Sequence, residues 1–163
     1  MPKRARLLLL FAAIALVTLG VAQLTGYLVN SRIPENTTVV INGLVHFTHV
    51  RNHGGVFGML QGSGWLFATI SALLLVAVTA YLARGHEVQR YEFICFGFIV
   101  GGGASNVLDR FLYGSVIDFI DIQHIPYWHY VFNIADVMVH VGIWPMLLFS
   151  LRTGGRNRPA PTN

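Results

Sequence analysis

The chain has 163 residues, 54% of them hydrophobic and 11% charged, with a formal net charge of +4. A soluble domain carries about 25% charged residues. This composition, with a mean hydropathy of +0.58, therefore excludes an ordinary soluble enzyme and points to one small integral membrane unit. The positive charge does not mark a nucleic-acid binder, because the basic residues flank apolar runs and form no face interleaved with stacking aromatics.

A bilayer core needs about 20 predominantly apolar residues per helix. Leu7 to Val29 supplies the first such run, preceded by Lys3, Arg4 and Arg6. It is too long for a cleaved leader and no small-x-small site closes it cleanly, so a retained span is expected. The next segment, about 36–58, reads as extracytoplasmic β structure. Val39-Val40-Ile41 and Leu44 to Val50 are β-branched or aromatic runs separated by Asn42-Gly43, a strong hairpin signal. Asn52-His53-Gly54-Gly55-Val56-Phe57-Gly58 is too glycine-rich for a helix and should form a loop or reentrant turn. The second span is expected over 65–82 and the third over 91–112. A second outer segment follows, and the fourth span is expected over 132–151. Trp65, Tyr127, Trp128 and Tyr130 suit an interfacial aromatic belt. One membrane domain thus covers 1–152, and residues 153–163, rich in Gly, Pro and Arg, read as a disordered cytoplasmic tail.

Four spans put both termini on one side. Eight of the eleven Lys and Arg residues then share that side, which the positive-inside rule makes cytoplasmic. The two outer segments face the opposite way.

Asp118 and Asp136 lie at that outer boundary in apolar surroundings, where a carboxylate is costly and is a functional-site candidate by default. The third span ends at the outer surface and the fourth begins there, so the two carboxyls are expected to meet. Like-charge repulsion would keep one proton between them. The ionised member could then draw a proton from water while the protonated member hydrogen-bonds a scissile carbonyl, the chemistry of an aspartic protease. Asn133 lies three residues before Asp136 and can hydrogen-bond near it. Asn106 and Asp109, three apart, share a helix face, and Arg110 can reach the interface or pair with a carboxylate. His140, four residues after Asp136, is on its helix face and is a candidate for tuning the pair.

The mechanism needs no cofactor. His46, His49, His53, His124 and His129 lie in the outer segments, but they form no compact helical pair and have no cysteine beside them, so no metal site is expected. The lone Cys95 reads as a small buried hydrophobe.

At these residues the chain resembles the lipoprotein signal peptidases, also called signal peptidase II, along nearly its whole length. The family's Asn-x-Gly-x-x-Phe-Gly falls on Asn52, Gly54, Phe57 and Gly58, and its Gly-Asn-x-x-Asp-Arg on Asn106, Asp109 and Arg110. Its Val-x-Asp-Phe falls on Val116, Asp118 and Phe119, and its Phe-Asn-x-Ala-Asp on Phe132, Asn133, Ala135 and Asp136. The resemblance implies a four-helix inner-membrane aspartic endopeptidase with a small extracytoplasmic sheet. It places the catalytic dyad on Asp118 and Asp136, with Asn52, Gly54, Asn106, Arg110, Asn133 and Gln23 lining the substrate cleft. The implied partners are a diacylglyceryl-modified precursor, with its signal helix and acyl chains, and membrane lipid. A monomer and no nucleic acid are expected. The chain departs from the family at Ala22 and Gly26, where a late first-span Asp and Lys are usual, and at Ser105, where a Gly is usual. His140 stands where a small or hydroxyl residue is expected. These departures suggest a specialised client. They also keep open a second class, a non-catalytic membrane scaffold that retains the fold and binds a lipid or signal helix.

Overall fold

The computed structural model describes residues 2–55, 58–85 and 88–154. The expected loop at Val56-Phe57, with the family-motif position Phe57, and the tail beyond 154 lie outside the described residues. Chain order runs α1 (Lys3–Arg32), β1 (Thr38–Val40), β2 (Val45–Asn52), α2 (Gly64–Arg84), α3 (Arg90–Tyr113), β3 (Val116–Ile122), β4 (Val131–Phe132) and α4 (Ile134–Gly154). Among the described residues, four helices are long and apolar enough to cross a membrane. Their outward faces carry exposed Leu16, Leu73, Leu74, Val76, Leu147 and Leu148. Large apolar side chains facing away from the bundle suit lipid as the surrounding solvent.

Helix α3 is the centre of the bundle. In lipid there is little hydrophobic force between helices, so association depends on close backbone approach through small residues. A side chain at Gly101 would lie 2.5 Å from the Ala15 carbonyl oxygen of α1, and one at Gly102 would lie 2.5 Å from the Ala135 carbonyl oxygen of α4. These two adjacent glycines therefore seat α1 and α4 on different sides of α3. At one end of the bundle Arg4 donates to the Leu82 carbonyl (3.1 Å), so the N-terminus and the α2–α3 turn share that end.

The sheet caps the other end. Its four strands are antiparallel in the order β1-β2-β3-β4. Phe119 and Ile117 of β3 pack with Val29 of α1 in a buried cluster that also gathers Phe47, Tyr113, Ile120 and Ile134. Because strand side chains alternate faces, seating Ile117 and Phe119 there turns Asp118 the other way.

Two details differ from the sequence reading. The Asn42-Gly43 hairpin does not close as a two-residue turn. Asn42 instead accepts from the Leu44 and Val45 amides through its side chain (both 2.8 Å), a local Asx bond that competes with the tight turn. The second outer segment, to which the sequence assigned no strand, has regular structure. It supplies β3 and β4, so Phe132 is a strand residue paired with Ile120, and the fourth helix begins at Ile134. Asn133 stops the strand and caps the helix, its side-chain oxygen accepting the Asp136 amide (3.0 Å).

Candidate active site

Asp118 and Asp136 reach one place by different routes. Helix α3 ends at Gly114, whose φ of +70° allows the sharp reversal into β3, and Asp118 sits on that strand opposite Val50 of β2. Asp136 is in the first turn of α4, where its carboxylate accepts from the Asn133 backbone amide (3.2 Å). The capping is reciprocal, an Asn/Asp counterpart of the capping box.

One side chain joins the two acids. The Asp136 amide can only donate, so the Asn133 atom facing it is the oxygen and the Asn133 nitrogen points the other way. That nitrogen donates to Asp118 Oδ1 at 2.8 Å and to Asn106 Oδ1 at 3.0 Å. Asn106 in turn donates to Asp136 Oδ1 at 2.8 Å. Asp118 Oδ2 accepts from Asn52 at 3.1 Å. Each of the four carboxyl oxygens thus has one amide donor and a lone pair to spare. Asp118 and Asn133 are buried, and Ala135 packs at the same level. Burial, and after it the neighbouring Asp136 charge, push the Asp118 carboxyl from 3.8 up to about 7, against the opposing pull of Asn52, Asn133 and Arg110.

Asn52 also organises the loop beside the acids. Its side-chain oxygen accepts the Gly54 amide (3.0 Å) and its nitrogen donates to the Gly55 carbonyl (3.2 Å). The Gly54 carbonyl thereby faces Arg110, which donates to it at 2.8 Å and to the Asn106 carbonyl at 3.0 Å. A side chain at Gly54 would run into the Met59 carbonyl oxygen, so only glycine fits. Arg110 is buried, and its Nε makes no hydrogen bond to the described residues. The sequence allowed Arg110 an interfacial position or an ion pair; in the structure it clamps two backbone carbonyls instead.

His140 and Gln23 stand apart from the carboxyl oxygens of the pair. The exposed His140 ring nitrogen Nδ1 lies 2.8 Å from the Asp136 backbone carbonyl oxygen. The Gln23 amide is directed to Asp109 Oδ1 (2.7 Å), Ser105 Oγ (3.0 Å) and the Ser105 carbonyl (3.2 Å). The buried Asp109 also accepts the Ile117 backbone amide at 3.2 Å. Sequence reasoning placed Asp109 on a helix face but gave it no task. A carboxylate inside an apolar span, without a basic partner one turn away, was the available signal.

The fold and site define a small multi-span membrane protein whose two carboxyls, Asp118 buried and Asp136 half-buried, meet at the seam of a helix bundle and a surface sheet. Comparison narrows that class. The family model described as signal peptidase (SPase) II matches residues 14–152, and the chain belongs to that family. It is 32% identical over 151 residues to the lipoprotein signal peptidase of Clostridioides difficile (strain 630), covering 92% of this chain and 100% of that protein. It is 36% identical over 141 residues to the lipoprotein signal peptidase of Microcystis aeruginosa (strain NIES-843), covering 85% of this chain and 89% of that protein. A solved bacterial membrane enzyme shares the fold, with a TM-score of 0.82 over 94% of each chain at 24% identity.

Proposed function

We propose that this protein is an aspartic endopeptidase that removes the signal peptide from lipid-modified precursor proteins at the outer face of the bacterial inner membrane. The observation that carries the reading is the Asn133 side chain, which hydrogen-bonds Asp118 directly and Asp136 through Asn106 and its own cap. Such a bridge holds two carboxyls in one proton-sharing unit. With Asp118 titrating near neutrality, one member is ionised and one protonated at working pH.

In the proposed reaction the ionised carboxylate takes a proton from a water held between the pair, and the water oxygen attacks the scissile carbonyl. The protonated partner hydrogen-bonds the developing oxyanion. The tetrahedral intermediate collapses as the carbon–nitrogen bond breaks, and a carboxyl proton passes to the leaving amine. Asn106 and Asn133 fix the pair, while Asn52, Gly54 and Arg110 form the cleft wall that meets the peptide. The signal helix and the acyl chains would lie against the apolar helix faces. Gln23 is not assigned a substrate contact, since its amide is committed to Ser105 and Asp109. The topology proposed is that of a monomer with both termini cytoplasmic, because the end marked by the Arg4–Leu82 bond carries the basic clusters.

The test is cleavage of a diacylglyceryl-modified precursor by purified protein in detergent. Asp118→Asn and Asp136→Asn should each reduce turnover by about 10²-fold or more, because an amide cannot cycle a proton. Substantial turnover by either variant overturns the dyad. A parent protein that binds precursor without cleaving it would instead support the scaffold reading, which the loss of charge at Ala22 and Gly26 keeps in view.

A further inference from the structure

We propose that Gln23 and Asp109 are positioning residues: a donor–acceptor relay from α1 through α3 that fixes the backbone of β3 one residue before Asp118. This rests on the dyad reading above and adds to it the device that sets the dyad's geometry from the first helix.

Asp118 is held on a strand that leaves α3 through a sharp turn at Gly114. Its side chain has amide partners, Asn52 and Asn133. On one side its backbone is held by the β2 ladder, opposite Val50, but on the other side strand β4 is only two residues long and pairs with Ile120 and Asp121, beyond the acid, so the Ile117 amide needs an acceptor from elsewhere. Asp109 supplies that acceptor. It lies near the end of α3, and its Oδ2 accepts the Ile117 amide across the Gly114 reversal at 3.2 Å. Its other oxygen receives Gln23 at 2.7 Å, short enough for a charge-assisted bond. The same Gln23 nitrogen reaches Ser105 Oγ and its carbonyl, one helical turn earlier. Gln23 therefore holds the carboxylate in the rotamer that faces Ile117.

Three features favour positioning over simple packing. Asp109 is buried, yet the only ion pair among the described residues is Arg51–Glu35, so its direct contacts are amides and not a cation. A buried carboxylate without an ion-pair contact is expensive, and an apolar residue would serve packing better. The residue it grips is the immediate neighbour of Asp118, and a displacement of about 1 Å at a reacting group is enough to cost about 10²-fold in rate. Lastly, Ala22 and Gly26, on either side of Gln23, are both buried against the bundle, so Gln23 is the polar group that this stretch of α1 brings to the seam.

The arrangement allows a reciprocal swap. Asp109→Asn keeps an oxygen for the Ile117 amide but turns an amide donor toward the Gln23 donor. Gln23→Glu alone sets two carboxylates against each other. In the double variant the two groups exchange roles: the carboxylate now at position 23 accepts from the side-chain amide nitrogen at position 109. The amide oxygen at position 109 still accepts from Ile117, and Ser105 Oγ can donate to the carboxylate at position 23. Turnover of lipidated precursor is measured for each protein in detergent, with thermal unfolding of the same samples. Each single variant, and the near-isosteric Gln23→Met, should lower kcat about tenfold with KM within about twofold, and the double variant should recover to within about threefold of the parent. Unchanged kcat in Gln23→Met, or losses appearing only as raised KM, would overturn the proposal, as would a double variant no better than the worse of its two single variants. If Asp109→Asn fails to fold, Gln23→Met alone decides by the same kcat criterion. Asp118→Asn in the same assay separates the two ideas. An inactive Asp118→Asn beside a fully active Gln23→Met rejects the relay and leaves the dyad, whereas an active Asp118→Asn rejects the dyad itself.

Discussion

Asp118→Asn should make the protein more stable as well as inactive, and the gain should grow with pH. The carboxyl binds its proton up to about pH 7 in the folded protein, against 3.8 as its ordinary value. Between those limits the folded state holds more protons than the unfolded state, so the parent loses stability as pH rises through the window. About three units at about 1.4 kcal/mol each amount to roughly 4 kcal/mol once the window is crossed. By about pH 5 roughly a third of this has been lost, and by about pH 8 all of it, a difference of about 3 kcal/mol. Asparagine has no such titration. It matches the protonated acid in shape but offers an acceptor to only one of the two donors Asn52 and Asn133, an offset that is the same at every pH and leaves the pH-dependent gain unchanged. For a chain of this size about 3 kcal/mol corresponds to roughly 6–12 °C in Tm. The assay is thermal unfolding of parent and variant in one detergent at about pH 5 and about pH 8. The variant's advantage should be several degrees larger at the higher pH. An advantage that is equal at both pH values, or larger in acid, would refute the claim that burial holds this carboxyl near neutrality.

His140→Thr should move the acid limb of the pH–rate profile to higher pH, because a protonated imidazole one turn beyond Asp136 favours the ionised form of the pair; superimposable profiles would leave His140 as a backbone hydrogen-bond partner only. A reporter fused after Asn163 should be active in the cytoplasm, since eight of eleven basic residues lie on that side; activity only outside would invert the topology and with it the placing of the site.

The spans were legible because hydropathy alone defines them. Asp118 and Asp136 were legible because a carboxylate in an apolar boundary demands a reason. The carrier of Asp118 was not. The proximity of the acids was inferred from two helix ends joined by a short loop, whereas Asp118 is delivered by a strand set between β2 and β4. The pattern Val116-Ile117-Asp118-Phe119-Ile120 has the β-branched and aromatic content of a strand, but its acid interrupts the alternation that would have declared one. That interruption is itself informative. Ile117 and Phe119 bury one face of β3 in the Val29 cluster, so period-two geometry leaves Asp118 nowhere to point except at Asn133 and Asn52. Asp109 was hidden for the opposite reason, since its partners are a backbone amide eight residues on and a side chain on another helix, and neither relation has a local spacing. The strand that violates its own pattern and the helix acid without an ion-pair contact are therefore one phenomenon. In both, the local rule is broken where tertiary hydrogen bonds hold a polar group in place, and those breaks converge on the same seam between α3, β3 and α4.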